Sequence, residues 1–232
     1  EPDMYEFLYH LLKENGADIS ICSHYRDKGK KSVAKYSSGE QFVFTRDEGI
    51  RALVVDRRIR NYVWDKLYKR RLFSGITFPL NRIFEDIAIS YRIFYKAEKI
   101  VVREFPKYHY VIRDGSAMQS KYDPLKEHNL FLSVYEQVYF VLEKGIWDQA
   151  PIYVLRRGIR LIDHMSMLRP SSSTEGVIKD VLAKMHEFDD VSCCQLGLSL
   201  SLKRYFIFHY MSAYRKTYRF VRLILKSKRH KF

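Results

Sequence analysis

Cysteine is scarce in this chain: Cys22, Cys193 and Cys194 are the only three among 232 residues, and two of them are adjacent. Vicinal cysteines make strained partners for each other, so no disulfide framework is read from them, and a reducing, cytoplasmic setting is the expectation. Long apolar runs are missing as well. "VSCCQLGLSLSL" stops at Lys203-Arg204, short of the roughly 18 to 20 residues that span a bilayer, and no secretory leader is visible at the start. Metal-ligand patterns are lacking: there is no Cys-x-x-Cys and no Asp-x-Asp, and the eight histidines never pair within a turn of one another. Acid is lacking only locally. Residues 191–232 hold ten Lys/Arg and no Asp/Glu, while residues 1–190 carry a net charge of only +4 out of a total of +14. The basic excess is a property of the tail.

What is present suffices for a globular core, since 47% of residues are hydrophobic and 15% aromatic, which excludes a disordered chain. "PDMYEFLYHLLKENG" predicts a helix, with Pro2 in a first-turn position, Met4, Leu8, Leu11 and Leu12 on one face, and Gly16 at the C-cap. "ADISICSHYR" alternates as a strand, and Asp27, Lys28 and Gly29 turn the chain into a second strand ending near Tyr36. Residues 45–56 and 59–73 read as two helices, the second being "IRNYVWDKLYKRRLF". A further helix runs from about Phe84 to Ala97, with Phe84, Ile87, Tyr91 and Phe94 at helical spacing. "KIVVREF" and, after Pro106, "KYHYVIR" are strand-like; alternation puts His109 on the sheet face opposite Tyr108 and Tyr110.

Beyond Ser116 the pattern is helical. Helices are predicted over 124–145, 148–168 and 175–188, with "RPSSSTEG" as a linker and Ser172 to Glu175 as a capping box. The expected organisation is an α/β part over residues 1–120 and an all-helical extension over residues 121–232.

The chemistry-bearing feature is the pair Glu85-Asp86 at the start of the helix in "NRIFEDIAISYRIFYKAEKIVV". Carboxylates in a first turn stabilise it by a few tenths to about 1 kcal/mol through the exposed amides and the dipole. The same position presents an ionised carboxylate that can accept a proton from a bound hydroxyl. The residues alone leave both readings open.

Segment order adds a resemblance. "NYVWDKLYKRRLF", "ITFP", "NRIFEDIAISYRIFYKAEKIVV" and "FPKYHYVIRDGSAM" resemble, over about residues 1–120, the downstream half of the catalytic domain of bacterial family-2 glycosyltransferases, which have the GT-A fold, a Rossmann-like α/β architecture. The elements that carry it are a Trp-x-Lys-Leu-Tyr helix at Trp64 to Tyr68, an aromatic-Glu-Asp-Ile segment at Phe84 to Ile87, and an Arg-x-x-Ser segment at Arg113 to Ser116. The resemblance implies an inverting transfer of a sugar from a nucleotide-sugar donor to a hydroxyl of a glycan or lipid-linked acceptor. Asp86 is then the base and Glu85 orients the acceptor or caps the helix. Arg113 falls where the family often places a basic group near the leaving diphosphate, and Ser116 is a further acceptor- or donor-binding position; without the family pattern, Arg113 is as well read as a solvated turn charge. Trp64 either packs or lines the acceptor cleft, and Lys66 either lines it or is a surface charge. The resemblance further implies a nucleotide-binding half with an acidic motif for Mg or Mn upstream of "EPDMYEFL", so no cofactor is expected within this chain. A sheet without those strands is expected to leave edges uncovered and to favour self-association.

The tail allows two readings of its own. If residues 202–229 are helical, Ile207, Met211, Tyr214, Tyr218, Val221 and Leu225 form an apolar stripe beside a basic one of Arg204, Arg215, Arg219, Arg222, Lys226 and Arg229. That suits either an anionic membrane surface, on the inner face of the plasma membrane, or a terminal helix packed on its own domain. A non-catalytic basic module binding membrane or nucleic acid is the alternative to the enzyme. Nucleic acid is not expected, because no recognition-helix or single-strand platform motif emerges.

Overall fold

The computed structural model describes residues 1–80, 82–113 and 123–229, in two compact units, Glu1–Tyr122 with Glu143–Ile146, and Asp123–Leu142 with Trp147–Phe232. The first is mixed α/β. Helix α1 (Met4–Glu14) buries Met4, Leu8, Leu11 and Leu12, the stripe its spacing prescribes. Gly16 follows with φ +57°, where a side chain would cost roughly 1–2 kcal/mol. Strand β1 (Ile19–Lys28) turns through Gly29 into β2 (Lys31–Lys35), then come β3 (Gln41–Thr45), α2 (Arg46–Val55), β4 (Lys66–Tyr68), a 3₁₀ turn at Arg70–Phe73, α3 (Glu85–Tyr95) and β5 (Lys99–Val111).

These strands form one mixed sheet in the order β2-β1-β5-β3, with β4 also paired to β1. β1 and β5 are parallel and central; β2 and β4 lie antiparallel along the other edge of β1, and β3 is antiparallel to β5. The core sits against the central pair: Ile19 and Ile21 of β1, Ile100 and Val101 of β5, Ile50 and Leu53 of α2, and Ile93 and Phe94 of α3 are almost wholly buried. α2 approaches closely at Gly49, where an added Cβ would lie 2.9 Å from the Ile100 side chain.

Four expectations are corrected. Residues 59–73 form no helix; they are a loop, the short strand β4 and a 3₁₀ turn. The local signal is weak, because Tyr62-Val63-Trp64 is β-prone, and the free edge of β1 supplies better partners, Ile19↔Tyr68 to Ile21↔Lys66 with the Cys22 amide on the Asp65 carbonyl at 3.0 Å. The Trp-x-Lys-Leu-Tyr motif is therefore a turn at Trp64-Asp65 leading into strand, not helix. Strand β3 was not foreseen. The two strands flanking Pro106 are one: the register slips where Ser23 faces Pro106, beyond the Lys99–Arg103 stretch that β3 pairs, so the missing N–H breaks no ladder.

The second unit is helical: α4 (Pro124–Glu143), α5 (Pro151–Ser166), α6 (Ser172–His186), α7 (Cys193–Leu196) and α8 (Leu198–Arg229). The capping box is one residue earlier than read, between Ser171 and Thr174. α8 departs from helical geometry at Tyr210 (φ −139°, ψ 42°). The first part of its predicted apolar stripe turns inward, whereas Val221 and Leu225 are exposed: Ile207 is buried, Met211, Tyr214 and Tyr218 are partly buried, and the Tyr214 hydroxyl donates to Asp163. Lys203 reaches the same carboxylate at 2.5 Å. No helix among the described residues is long and apolar enough to cross a membrane.

Candidate functional site

The carboxylate pair stands at the N-terminus of α3, entered through Phe84 at φ 66° without a side-chain cap. An aromatic residue in the left-handed region is strained, and such strain persists only where surrounding structure dictates it. Glu85 is exposed and Asp86 partly buried. The Asp86 Oδ1 accepts the Ile87 amide at 2.8 Å, and among the described residues no cation forms an ion pair with it.

Burial pushes the Asp86 carboxyl above the usual carboxylate range; the Ile87 amide and Lys66 oppose this, while Glu85 and Asp56 reinforce it. A helix N-terminus by itself would act in the other direction. The outcome is a carboxylate that binds a proton more readily than a solvated one, as a general base requires.

Asp56, which sequence reasoning missed, is brought there by the loop after α2. It takes the left-handed C-cap position (φ 52°), where Oδ2 accepts from Arg60 at 2.9 Å and Oδ1 from the Asn61 amide at 3.3 Å. Asn61 donates to the Leu53 carbonyl at 3.0 Å and accepts from Ser90 of α3 at 2.9 Å, tying the loop to both helices. The Asp-x-x-x-Arg spacing of residues 56–60 was the one available signal, and it reads as an ordinary surface pair.

Lys66 is no surface charge. Its side chain is fully buried, with Nζ 2.5 Å from Asp65 Oδ1 and 2.5 Å from the Tyr62 carbonyl. Burial raises the Asp65 carboxyl more than Lys66 lowers it. Further along the strand, the Tyr68 hydroxyl is buried without a hydrogen-bond partner among the described residues, and desolvation with the field of Asp65 and Asp86 holds it well above the usual phenol range.

Trp64, just before β4, is partly buried and stacks on Tyr108 (4.3 Å), Tyr62 (4.6 Å) and Tyr110 (5.6 Å), with His24 edge-on at 5.1 Å. Burial, and then the charges of Arg60, Lys35, Lys66 and Arg26, lower His24 to about 4. His109 lies on the opposite face, stacked on Tyr25 at 4.6 Å and bonded to Asp27 at 2.8 Å. The fold thus brings Lys66 and Glu85 within electrostatic reach of Asp86, while Trp64 belongs to the aromatic stack with Tyr62, Tyr108 and Tyr110. Arg113 follows β5, exposed, with no side-chain bond among the described residues; Ser116 lies outside the described residues. No three His, Cys, Asp or Glu side chains among the described residues converge on a metal position.

No protein-family model matches the chain. It is similar to the glycosyltransferase GlyG of Streptococcus pneumoniae serotype 4, 28% identical over 131 residues, 52% of this chain and 43% of that protein. GlyA of the same organism is 26% identical over 124 residues, 50% of this chain and 18% of that protein. The processive diacylglycerol beta-glycosyltransferase of Mycoplasma pneumoniae is 31% identical over 84 residues, 36% of this chain and 24% of that protein. The chain spans less than half the length of each of these relatives. Similarity over about half of its residues to sugar-transferring enzymes supports a glycosyltransferase.

Proposed function

We propose that the chain is the acceptor-side part of an inverting family-2 glycosyltransferase of GT-A fold, with Asp86 as general base. A hydroxyl oxygen of a glycan or lipid-linked acceptor attacks the anomeric carbon of a nucleotide sugar from the face opposite the diphosphate. The hydroxyl proton passes to Asp86, the new glycosidic bond forms, and the old carbon–oxygen bond breaks, its electron pair leaving with the nucleoside diphosphate. Glu85, exposed beside Asp86, orients the acceptor. Arg113 and Ser116 serve the leaving diphosphate, and a Mg or Mn ion bound outside the described residues would supply Lewis-acid charge neutralisation.

The observation that carries this reading is Asp86 itself: partly accessible, unpaired with any cation among the described residues, and shifted toward stronger basicity. Asp86→Asn, in a chain extended to the relatives' length, is expected to lower transfer by about 10²–10⁴-fold while nucleotide-sugar binding persists. Equal turnover in variant and parent would remove Asp86 from the reaction.

The end of α8 favours attachment to an anionic leaflet as an accessory property. Phe220, Val221, Leu223, Ile224 and Leu225 are all exposed in a segment without acid, the arrangement of an interfacial helix. The diacylglycerol enzyme among the relatives acts on a lipid by name, which fits an acceptor held at a membrane. Co-sedimentation of the chain with phosphatidylglycerol vesicles but not with phosphatidylcholine ones is the expected result.

A further inference from the structure

The β1–β2 hairpin carries a second concave feature, away from α3. Arg26, Lys28, Lys31, Val33, Lys35 and Ile112 line a groove of about 400 Å³. The register explains the convergence: Arg26 faces Val33, Lys28 faces Lys31 and His24 faces Lys35, so these side chains share one face of the hairpin. Across β1, Arg26 aligns with Tyr110 and His24 with Tyr108, so the rings stacked on Trp64 border the cationic groove.

All four cations are exposed, and none has a side-chain hydrogen bond or ion pair among the described residues. Asp27 points to the other face, where it holds His109 and Ser32. Like charges directly opposed across an antiparallel pair destabilise it, and Lys28↔Lys31 is such a pair with no carboxylate between. Lysines on an edge strand can be explained as protection against edge-to-edge pairing. That accounts for β2 but not for Arg26 and Lys28, which lie on a strand paired on both sides. His24, lowered first by burial and then by Arg60, is lowered further by Lys35 and Arg26 of the groove.

We infer that this groove is a diphosphate subsite, in which Arg26, Lys28, Lys31 and Lys35 hold the anion of a carbohydrate substrate beside the Trp64–Tyr110 aromatic wall. Four positive charges leave a lone carboxylate or phosphate monoester overmatched, whereas a diphosphate spans two cross-strand rows and balances most of the charge. The inference rests on the proposed sugar transfer only for the ligand's source, which is either a nucleoside diphosphate or a lipid-linked diphosphate acceptor. Anion binding by the hairpin does not depend on Asp86.

Calorimetric titration of the 232-residue chain with pyrophosphate tests it. The parent is expected to bind, with affinity falling as salt rises, and Lys28→Gln/Lys35→Gln to bind about 100-fold more weakly, roughly tenfold per lost charge-assisted contact. Lys31→Glu should lose binding while its thermal midpoint stays level or rises, which a structural role for Lys31 would not produce. Asp86→Asn should bind like the parent, so failure of the catalytic proposal and failure of the subsite remain distinguishable. Uridine diphosphate and farnesyl diphosphate are then run as competitors, and displacement by either supports the site and identifies the source. Undiminished pyrophosphate affinity in the paired variant, displacement by neither competitor, or binding of duplex DNA without pyrophosphate would overturn it.

Discussion

Two regions of this protein are rich in cations and use them in opposite ways. Helix α8 belongs to the stretch that accounts for ten of the Lys/Arg and no acid, yet Arg215 and Arg219 in its middle are engaged within their own unit. Arg215 forms a bidentate pair with Glu175 at 2.8 and 2.9 Å, and Arg219 donates to the carbonyls of Ser166 and Leu168. The β1–β2 hairpin holds fewer charges, but four of them face one groove with no partner among the described residues. Charge counted along the sequence points to the tail; charge counted by unmet partners points to the hairpin. Electrostatic capacity for a ligand depends on the second count, because a guanidinium already bonded to a carboxylate or to carbonyls has less left to offer.

Replacing cations tests this contrast, and the largest effect is expected where a cation is buried. Lys66→Met leaves Asp65 buried and unpaired and is expected to cost about 3–5 kcal/mol in urea unfolding. Asp65 already binds its proton more tightly in the folded chain, so its contribution is present at low pH and lost as pH rises through the folded value. The variant's deficit should therefore grow as pH rises above the ordinary carboxylate range, and a pH-independent deficit would contradict the assignment. Arg219→Ala, which strands two carbonyls, is expected to cost about 1.5–3 kcal/mol. Arg215→Ala should cost less, about 0.5–1 kcal/mol, because Glu175 is half exposed. Lys31→Glu should reverse the sign and stabilise by about 0.2–1 kcal/mol, since it replaces a repulsive cross-strand pair with an attractive one. If the hairpin variant is as damaging as the α8 variants, the contrast fails.

A pH profile sharpens the catalytic side. With Asp86 raised by burial and by Glu85 and Asp56, the acid limb of kcat/KM is expected above the ordinary carboxylate value of about 4. Asp56→Asn should move that limb downward without abolishing turnover.

Much of the fold was legible. α1, β1, α3 and β5 announce themselves by their apolar residues: α1 buries one face at helical spacing, and the apolar residues that open β1, fill α3 and open β5 are the ones that enter the core. The stretch 59–73 was misread because its aromatic and basic residues satisfy no single period, and its backbone partners lie some 45 residues upstream on β1. β3 was missed because Gln41–Thr45 is short and lies at the sheet edge, where only half its residues meet the core. Asp86 was found from its place in a first turn, but the direction of its proton affinity was not, since that depends on burial and on Asp56, thirty positions away.

The amino-acid order alone determined a mixed α/β part followed by helices, the position of the carboxylate pair, and the concentration of basic charge at the end of the chain. Those are consequences of local spacing and composition, which need no knowledge of distant neighbours. Only the tertiary structure decided that Lys66 is buried against Asp65, that Arg215 and Arg219 of α8 are already engaged, and that four cations without partners among the described residues converge on one face of the hairpin. Each depends on desolvation and on partners contributed by remote segments, and the field at a side chain is set by what folding places within a few ångströms of it.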